Sequence, residues 1–131
     1  MKLLLDTHIF LWAFLEPDQL TEPVADALEA SSNELWLSPI STWECLVLAR
    51  KGRMILEPDP AVWLRKRIEE LRPTEAPVNH EVAIASERID LTHQDPADRF
   101  LAATAAVFDL TLVTSDERLL KSKNFAVMPN K

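Results

Sequence analysis

Four acidic residues, spread over the whole chain, stand where a strand is predicted to end or a helix to begin. They are Asp6 in KLLLDTHIF, Glu44 in SPISTWECL, Asp98 in HQDPADRFLAATA and Asp116 in LTLVTSDERL. If the strands run parallel, these four carboxylates crowd together at one edge of the sheet. Crowded carboxylates repel each other unless a cation lies among them, and oxygen ligands favour Mg²⁺ or Mn²⁺. A divalent ion held by carboxylates in an α/β domain most often acts on phosphates.

Taken one at a time, these carboxylates also have structural explanations. Asp6 and Asp116 each precede a predicted helix and suit its N-cap. Glu44 stands three residues after Ser41, the spacing of a capping box, and Asp98 falls in a first helical turn, where the helix dipole favours an acid. Asp6 is the strongest indication of a functional site. Burying an acid at the end of a wholly apolar strand costs free energy, which is hard to explain unless the acid has a functional role.

The pattern of the chain alternates strands with helices. Strands are predicted at 1–5, 34–38, 75–78, 111–114 and 125–128, and helices at 7–15, 21–31, 41–51, 61–71, 79–89, from 95 onwards and at 116–120. This alternation predicts parallel strands joined by right-handed crossovers. Ligand sites in such folds lie at the carboxyl ends of the strands, which is where the acidic residues are expected.

Capping residues mark several of these helices. Thr21 is predicted to cap the second helix, and Gly52 to end the third. Asp95 suits an N-cap and Pro96 a first helical position, which places Asp98 in the first turn.

Composition indicates one folded domain over residues 1–131. Apolar residues make up 47% and charged residues 27%, which is ordinary for a globular protein. No apolar run approaches the roughly 18 residues of a membrane span, and the apolar start carries Asp6 and His8, unlike a signal peptide. The single cysteine, Cys45, forms no internal disulfide, which fits a reducing cytoplasm; we interpret it as a core residue rather than a nucleophile.

Glycine content and charge exclude some classes of site. The chain has one glycine, Gly52, so it has neither a Gly-rich phosphate loop nor a dinucleotide-binding fingerprint. The net charge of −7 argues against general electrostatic attraction to nucleic acid. Basic clusters at 50–53, 65–67 and 118–123 are interpreted as solvated helix faces.

The four acidic segments together resemble the PIN-domain family, specifically its VapC-type ribonuclease toxins. The segments LLLDTHIFLW, SPISTWE, DPADRFLAATA and LTLVTSDERL come in the family's order, and the resemblance covers essentially the whole chain. It implies a PIN-like, three-layer α/β/α fold with a central, mainly parallel sheet and the active site at the carboxyl ends of the strands. It also implies a Mg²⁺-dependent endoribonuclease, with Mn²⁺ as a substitute, in which an activated water cleaves an RNA phosphodiester bond.

The resemblance also assigns roles to residues. Asp6 and Asp98 would be the nearest ligands of the metal, while Glu44 and Asp116 would bind it through water or hold a second ion. Residues near the metal ligands complete the implied site: Thr114 and Ser115 would orient ligands or substrate, and Arg99 would contact a substrate phosphate or brace a carboxylate. The partners implied are an RNA substrate, a cognate antitoxin whose tail wraps the toxin, and a second copy of the chain in a homodimer.

Several alternatives stay open at this point. Asp95 lies one turn before Asp98 and competes with it as the ligand. His8 is either close to the metal or a helix-start packing residue, whereas His80 and His93 are interpreted as surface or capping residues. A phosphatase of haloacid dehalogenase type would need an aspartate at position 8, which is histidine. A catalytically silent PIN-like scaffold that binds RNA or protein is the non-enzymatic alternative.

Overall fold

In the part of the chain that the structure describes, five strands form one sheet in which every neighbouring pair is parallel. A computed structural model describes residues 1–91 and 95–131, so the prediction for His93 lies outside the described residues. Within that part of the chain the strand order is β3-β2-β1-β4-β5. The strands are β1 (Lys2–Leu5), β2 (Glu34–Leu37), β3 (Thr74–Glu75), β4 (Thr111–Thr114) and β5 (Ala126–Pro129). The predicted parallel sheet is confirmed.

Helices cover both faces of the sheet. They are α1 (Thr7–Leu15), α2 (Glu22–Glu29), α3 (Pro39–Arg50), α4 (Pro60–Leu71), α5 (His80–Ser86), α6 (Pro96–Phe108) and α7 (Glu117–Leu120), with a 3₁₀ turn at Pro17–Gln19. The first four helices pack on one apolar core and the last three on another. This is the predicted three-layer α/β/α arrangement. Among the described residues, no helix is both long and apolar enough to cross a lipid bilayer.

The central strand β1 supplies both cores. Leu3 and Leu5 belong to the core under α1–α4, whereas Leu4 belongs to the core under α5–α7. Successive side chains of a strand point to opposite faces, and a parallel strand covered on both faces must be apolar throughout. All three leucines are fully buried, and each such burial contributes roughly 1.5–3 kcal/mol. The first polar position after these three leucines, Asp6, therefore comes directly after the end of the strand.

Helix α3 begins earlier than the sequence pattern suggested, and the capping-box interpretation of Ser41 and Glu44 is wrong. Ser38 is the N-cap, and its Oγ accepts a hydrogen bond from the Ile40 backbone N–H at 3.0 Å. Pro39 takes the first helical position, which its fixed φ favours. Glu44 consequently lies inside the helix rather than at its start, and helix capping no longer explains it.

Helix α2 is held at its start by the far end of the chain. Thr21 occupies the predicted N-cap position, but its side chain makes no capping bond. Instead the Asn130 Oδ1 accepts from the Thr21 backbone N–H at 2.8 Å, and its Nδ2 donates to the Gln19 carbonyl at 3.0 Å and to the Ser115 Oγ at 2.8 Å. Asn130 is buried, so it fixes the loop that follows β4.

Cys45 is a core residue, as predicted. It is fully buried in the core under α1–α4. This burial, with a smaller contribution from the neighbouring Glu44, raises the pKa of its thiol to about 12. A thiol that stays protonated at neutral pH is a poor nucleophile.

Candidate active site

One pocket at the carboxyl edge of the sheet collects acidic side chains from four separate segments. The cavity has a volume of about 490 Å³. Its lining residues are Asp6, Thr7, His8, Trp12, Glu44, Asp95, Asp98, Ser115, Asp116 and Arg118. The sequence-predicted carboxylates thus meet in space, although they come from the two ends and the middle of the chain.

Asp6 is fixed directly after the central strand. Its backbone N–H donates to the Val113 carbonyl at 3.0 Å, which extends the pairing of β1 with β4. Its carboxylate accepts from the Thr7 N–H at 2.8 Å and from the Thr114 hydroxyl at 2.6 Å. Burial raises the pKa of Asp6, and the bonds from Thr114 and Thr7 only partly oppose that effect. The ionised carboxylate therefore carries a desolvation cost that a nearby cation would relieve.

Thr7 links two of the carboxylates. Its side chain is buried, and its hydroxyl donates to the Glu44 Oε1 at 2.5 Å. Burial raises the pKa of Glu44 to about 7; the Thr7 bond opposes this shift, while the charges of Asp6 and Asp98 add to it. The sequence gives no signal for the role of Thr7 other than its position between Asp6 and His8.

Arg118 lies against the other two carboxylates. Asp116 caps α7 through the Arg118 backbone N–H at 2.9 Å, and it also accepts from the guanidinium Nε at 3.2 Å and Nη2 at 3.0 Å. The same Nη2 lies 3.7 Å from the Asp98 Oδ2. Asp98 is buried, whereas the Arg118 side chain is 53% exposed. The sequence pattern favoured a solvated helix face for Arg118, but its guanidinium is a counter-ion of the pocket carboxylates.

The donor chemistry of this pocket fits a hard divalent cation. Its donors are carboxylate and hydroxyl oxygens, the ligand types that Mg²⁺ and Mn²⁺ prefer, and burial raises the pKa values of Asp6 and Glu44. In the arrangement described for 1–91 and 95–131, however, no three His, Cys, Asp or Glu side chains form a metal-binding group. Thr7 and Thr114 hold two of the carboxylates, and Arg118 pairs with the others.

The remaining predicted residues have different positions. Thr114 contacts Asp6, as described above, and Ser115 lines the pocket, where its hydroxyl donates to the Asn130 carbonyl at 3.1 Å. Arg99 does not line this pocket; its guanidinium donates to the Ser86 and Ile89 carbonyls, both at 3.0 Å. These contacts match neither of the two roles considered for Arg99, because they attach the end of α5 to α6.

Three further residues belong to alternatives that the sequence left open. Asp95 caps α6 through the Ala97 N–H at 3.0 Å and also lines the pocket. His8 lies at the pocket too, exposed, with its ring 5.5 Å from that of Trp12. His80 is exposed at the start of α5, as the sequence suggested.

The raised pKa of Glu44 predicts how the metal-free protein responds to pH. Because its pKa is about 7 in the folded protein and 4.5 ordinarily, the folded state holds this proton more tightly than the unfolded chain. Glu44 therefore favours folding most below about pH 4.5, and that contribution is lost as the pH rises towards 7. Glu44→Gln keeps an acceptor for Thr7 but cannot titrate, so we expect its Tm to fall less than that of the wild type between about pH 5 and 8, by roughly a few degrees.

Thermal unfolding in EDTA across this pH range measures the effect. Glu69→Gln, an exposed change on α4, is the matched control and should follow the wild-type curve. Parallel curves for Glu44→Gln and the wild type would contradict the raised pKa.

Comparisons with known proteins agree with this architecture. The PIN-domain family model matches residues 3–124. Ribonuclease VapC22 of Mycobacterium tuberculosis is 34% identical over 119 residues, which is 88% of each chain. Two solved structures share the fold: VapBC2 from Rickettsia felis bound to a DNA fragment from their promoter (TM-score 0.77, 17% identity, 100% of both chains), and a toxin–antitoxin complex from Klebsiella pneumoniae (TM-score 0.67, 20% identity, 98% of this chain and 97% of the other).

The family match extends over nearly all of the chain and includes each of the four acidic segments. The curated relative supports the same assignment independently, since its identity and coverage are both high enough to indicate common descent. The chain therefore belongs to the PIN-domain family, and within that family it is similar to the VapC ribonucleases.

Proposed function

We propose that this protein is a metal-dependent endoribonuclease and the toxin of a type II toxin–antitoxin pair. The observation that carries the proposal is the convergence of Asp6, Glu44, Asp98 and Asp116 in one pocket. That pocket lies outside the carboxyl ends of parallel strands, where open α/β folds bind their ligands. The 34% identity to a ribonuclease supports the same activity.

In this proposal the four carboxylates have different roles in binding Mg²⁺, or Mn²⁺ in its place. Asp6 and Asp98 would hold the ion directly, and Glu44 and Asp116 would hold it through water or hold a second ion. A bound divalent ion supplies a nucleophile at neutral pH and neutralises charge on the phosphate. The chain itself supplies orientation: the Thr114 hydroxyl fixes Asp6, as the buried Thr7 fixes Glu44. Such supporting bonds typically change metal affinity or activity roughly 10–100-fold.

Arg118 is the part of the site that must adjust. Its guanidinium lies between Asp98 and Asp116, and a cation that takes these carboxylates competes with it. Its half-exposed side chain leaves it room to turn towards solvent. There it can contact a backbone phosphate of the substrate, since arginine matches phosphate oxygens in charge and geometry.

The proposed partners follow from the same pocket and from the relatives. An antitoxin is proposed because solved structures of this fold include toxin–antitoxin complexes, and because an acidic pocket is complementary to a basic side chain from a partner. A homodimer, an RNA substrate and a cytoplasmic location complete the proposal. The lone buried thiol of Cys45 is compatible with a reducing compartment.

A catalytically silent scaffold is the second candidate. The observation that favours it is the ion pairing of Arg118 with the pocket carboxylates, together with the lack of a metal-binding group of three residues in the described ranges. A scaffold of this kind would bind RNA or protein without cleaving RNA.

Incubation of the purified protein, free of any partner, with total RNA distinguishes the two. We expect discrete fragments with Mg²⁺ or Mn²⁺ and none with EDTA. Intact RNA in the presence of either metal, from protein shown to be folded, would favour the scaffold.

A further inference from the structure

A second cavity adjoins the acidic pocket along helix α3. It has a volume of about 280 Å³ and shares Glu44 and Asp95 with the acidic pocket. Its other lining residues are Trp43, Val47, Leu48, Lys51, Arg53, Pro96 and Ala97. A ligand that enters the acidic pocket can therefore continue into this groove, which we call the α3 groove.

An unusually exposed aromatic ring borders the α3 groove. Trp43 is 55% exposed, and within the described part of the chain its ring contacts no other aromatic ring. The other three tryptophans are buried or half-buried. An exposed indole beside a groove whose mainly apolar lining also carries charged side chains is a suitable platform for a nucleobase, because every base offers a flat face for stacking.

Two cations mark the far end of the same groove. Lys51 and Arg53 are exposed, and among the described residues neither has an ion-pair partner. They follow the end of α3, about 10 Å along the helix axis from Glu44 at roughly 1.5 Å per residue. A nucleic acid strand with one phosphate in the acidic pocket reaches them within a few nucleotides.

The backbone that carries these cations is fixed in place. Gly52 takes φ +73° and donates its N–H to the Ala49 carbonyl at 3.0 Å, while the Arg53 N–H donates to the Leu48 carbonyl at 2.9 Å. This pair of bonds is the Schellman ending of a helix, which requires a left-handed residue that glycine adopts without strain. Lys51 and Arg53 therefore flank a rigid turn rather than a loose loop.

We propose that the α3 groove binds single-stranded RNA next to the scissile phosphate, with a base stacked on Trp43 and phosphates on Lys51 and Arg53. The inference rests on the proposed function for its choice of RNA. Charge supports it: in a protein of net charge −7, general attraction to RNA is lacking, so local cations and stacking must provide the affinity. Glu44 and Asp95 make the near end of the groove acidic, so within the groove phosphates are favoured at the far end, beside the cations.

Binding of a fluorescein-labelled oligoadenylate in EDTA, followed by anisotropy, tests the groove separately from cleavage. We expect Trp43→Ala to weaken binding about 5- to 150-fold, and Trp43→Phe, which keeps a stacking face, to retain most of the affinity. Lys51→Gln with Arg53→Gln should weaken binding and reduce the slope of log K against log salt by about 1.4, since each phosphate contact on a single strand contributes about 0.7.

The matched control is Arg65→Gln with Lys66→Gln, which removes the same charge from exposed positions on α4, outside the groove. It should leave the salt slope unchanged. The proposal would be overturned if the groove variants and this control bound the oligoadenylate with equal affinity, or if the wild-type chain did not bind it at all. A groove that serves a protein partner instead of RNA would give one of these two results. Groove-dependent binding without cleavage in Mg²⁺ or Mn²⁺ would refute the nuclease and leave the RNA groove standing.

Discussion

Replacing Asp6 by asparagine should abolish RNA cleavage, with a loss of roughly 100-fold or more. Loss of a supporting contact in a metal site already costs about 10–100-fold, and this change removes the charge of a proposed direct ligand. The asparagine side chain would still offer an oxygen to the Thr7 N–H, from which Asp6 accepts at 2.8 Å. The affinity for Mn²⁺, measured by calorimetric titration, should fall together with cleavage.

The stability of the same variant separates a functional role from a structural one. Because burial raises the pKa of Asp6, its ionised form is a cost to the metal-free fold at about pH 8, and asparagine removes that cost. We therefore expect the Tm of Asp6→Asn in EDTA to equal or exceed that of the wild type. Asp18→Asn, the same change at an exposed position of the 3₁₀ turn, is the control and should keep full activity. Full cleavage by Asp6→Asn would exclude Asp6 as a required ligand.

Elements set by local patterns were predictable from the sequence. The bounds of α1 and β4 agree with the prediction residue for residue. Helix α1 coincides with a mainly apolar stretch that follows Asp6, and β4 with a run of β-branched and apolar residues that ends before Ser115. The order of the acidic residues relative to the strands then placed them at one edge of the sheet. The acidic residues are expected to cluster because a parallel sheet brings the carboxyl ends of all its strands to the same side.

Competition between two local patterns explains the error at α3. Both Ser38-Pro39 and Ser41-x-x-Glu44 are acceptable helix starts, and the choice depends on where β2 ends in the sheet. At Thr21 the predicted N-cap position is correct, but the side-chain capping bond is missing for another reason. The partner of Thr21, Asn130, lies 109 positions away, and no local pattern reports such a contact. Arg118 likewise looked solvated, because its approach to Asp98 depends on how α6 and α7 pack.

Comparison of two neighbouring aspartates addresses the ambiguity that the sequence left at the start of α6. Asp98→Asn should reduce cleavage roughly 100-fold, because Asp98 is buried at the pocket beside Arg118 and is proposed to hold the metal. Asp95→Asn should cost at most a few-fold. Its described bond is the cap to the Ala97 N–H, and asparagine caps a helix about as well as aspartate.

The pair is well matched, since each change removes one charge and keeps the shape of the side chain at the start of the same helix. Both charges also contribute to the raised pKa of Glu44, so general electrostatic effects on the pocket should be similar in the two variants. A difference in Mn²⁺ affinity between them therefore reports direct ligation. If Asp95→Asn proved the more damaging for both Mn²⁺ binding and cleavage, Asp95 would be the ligand, and Asp98 would act through its contact with Arg118.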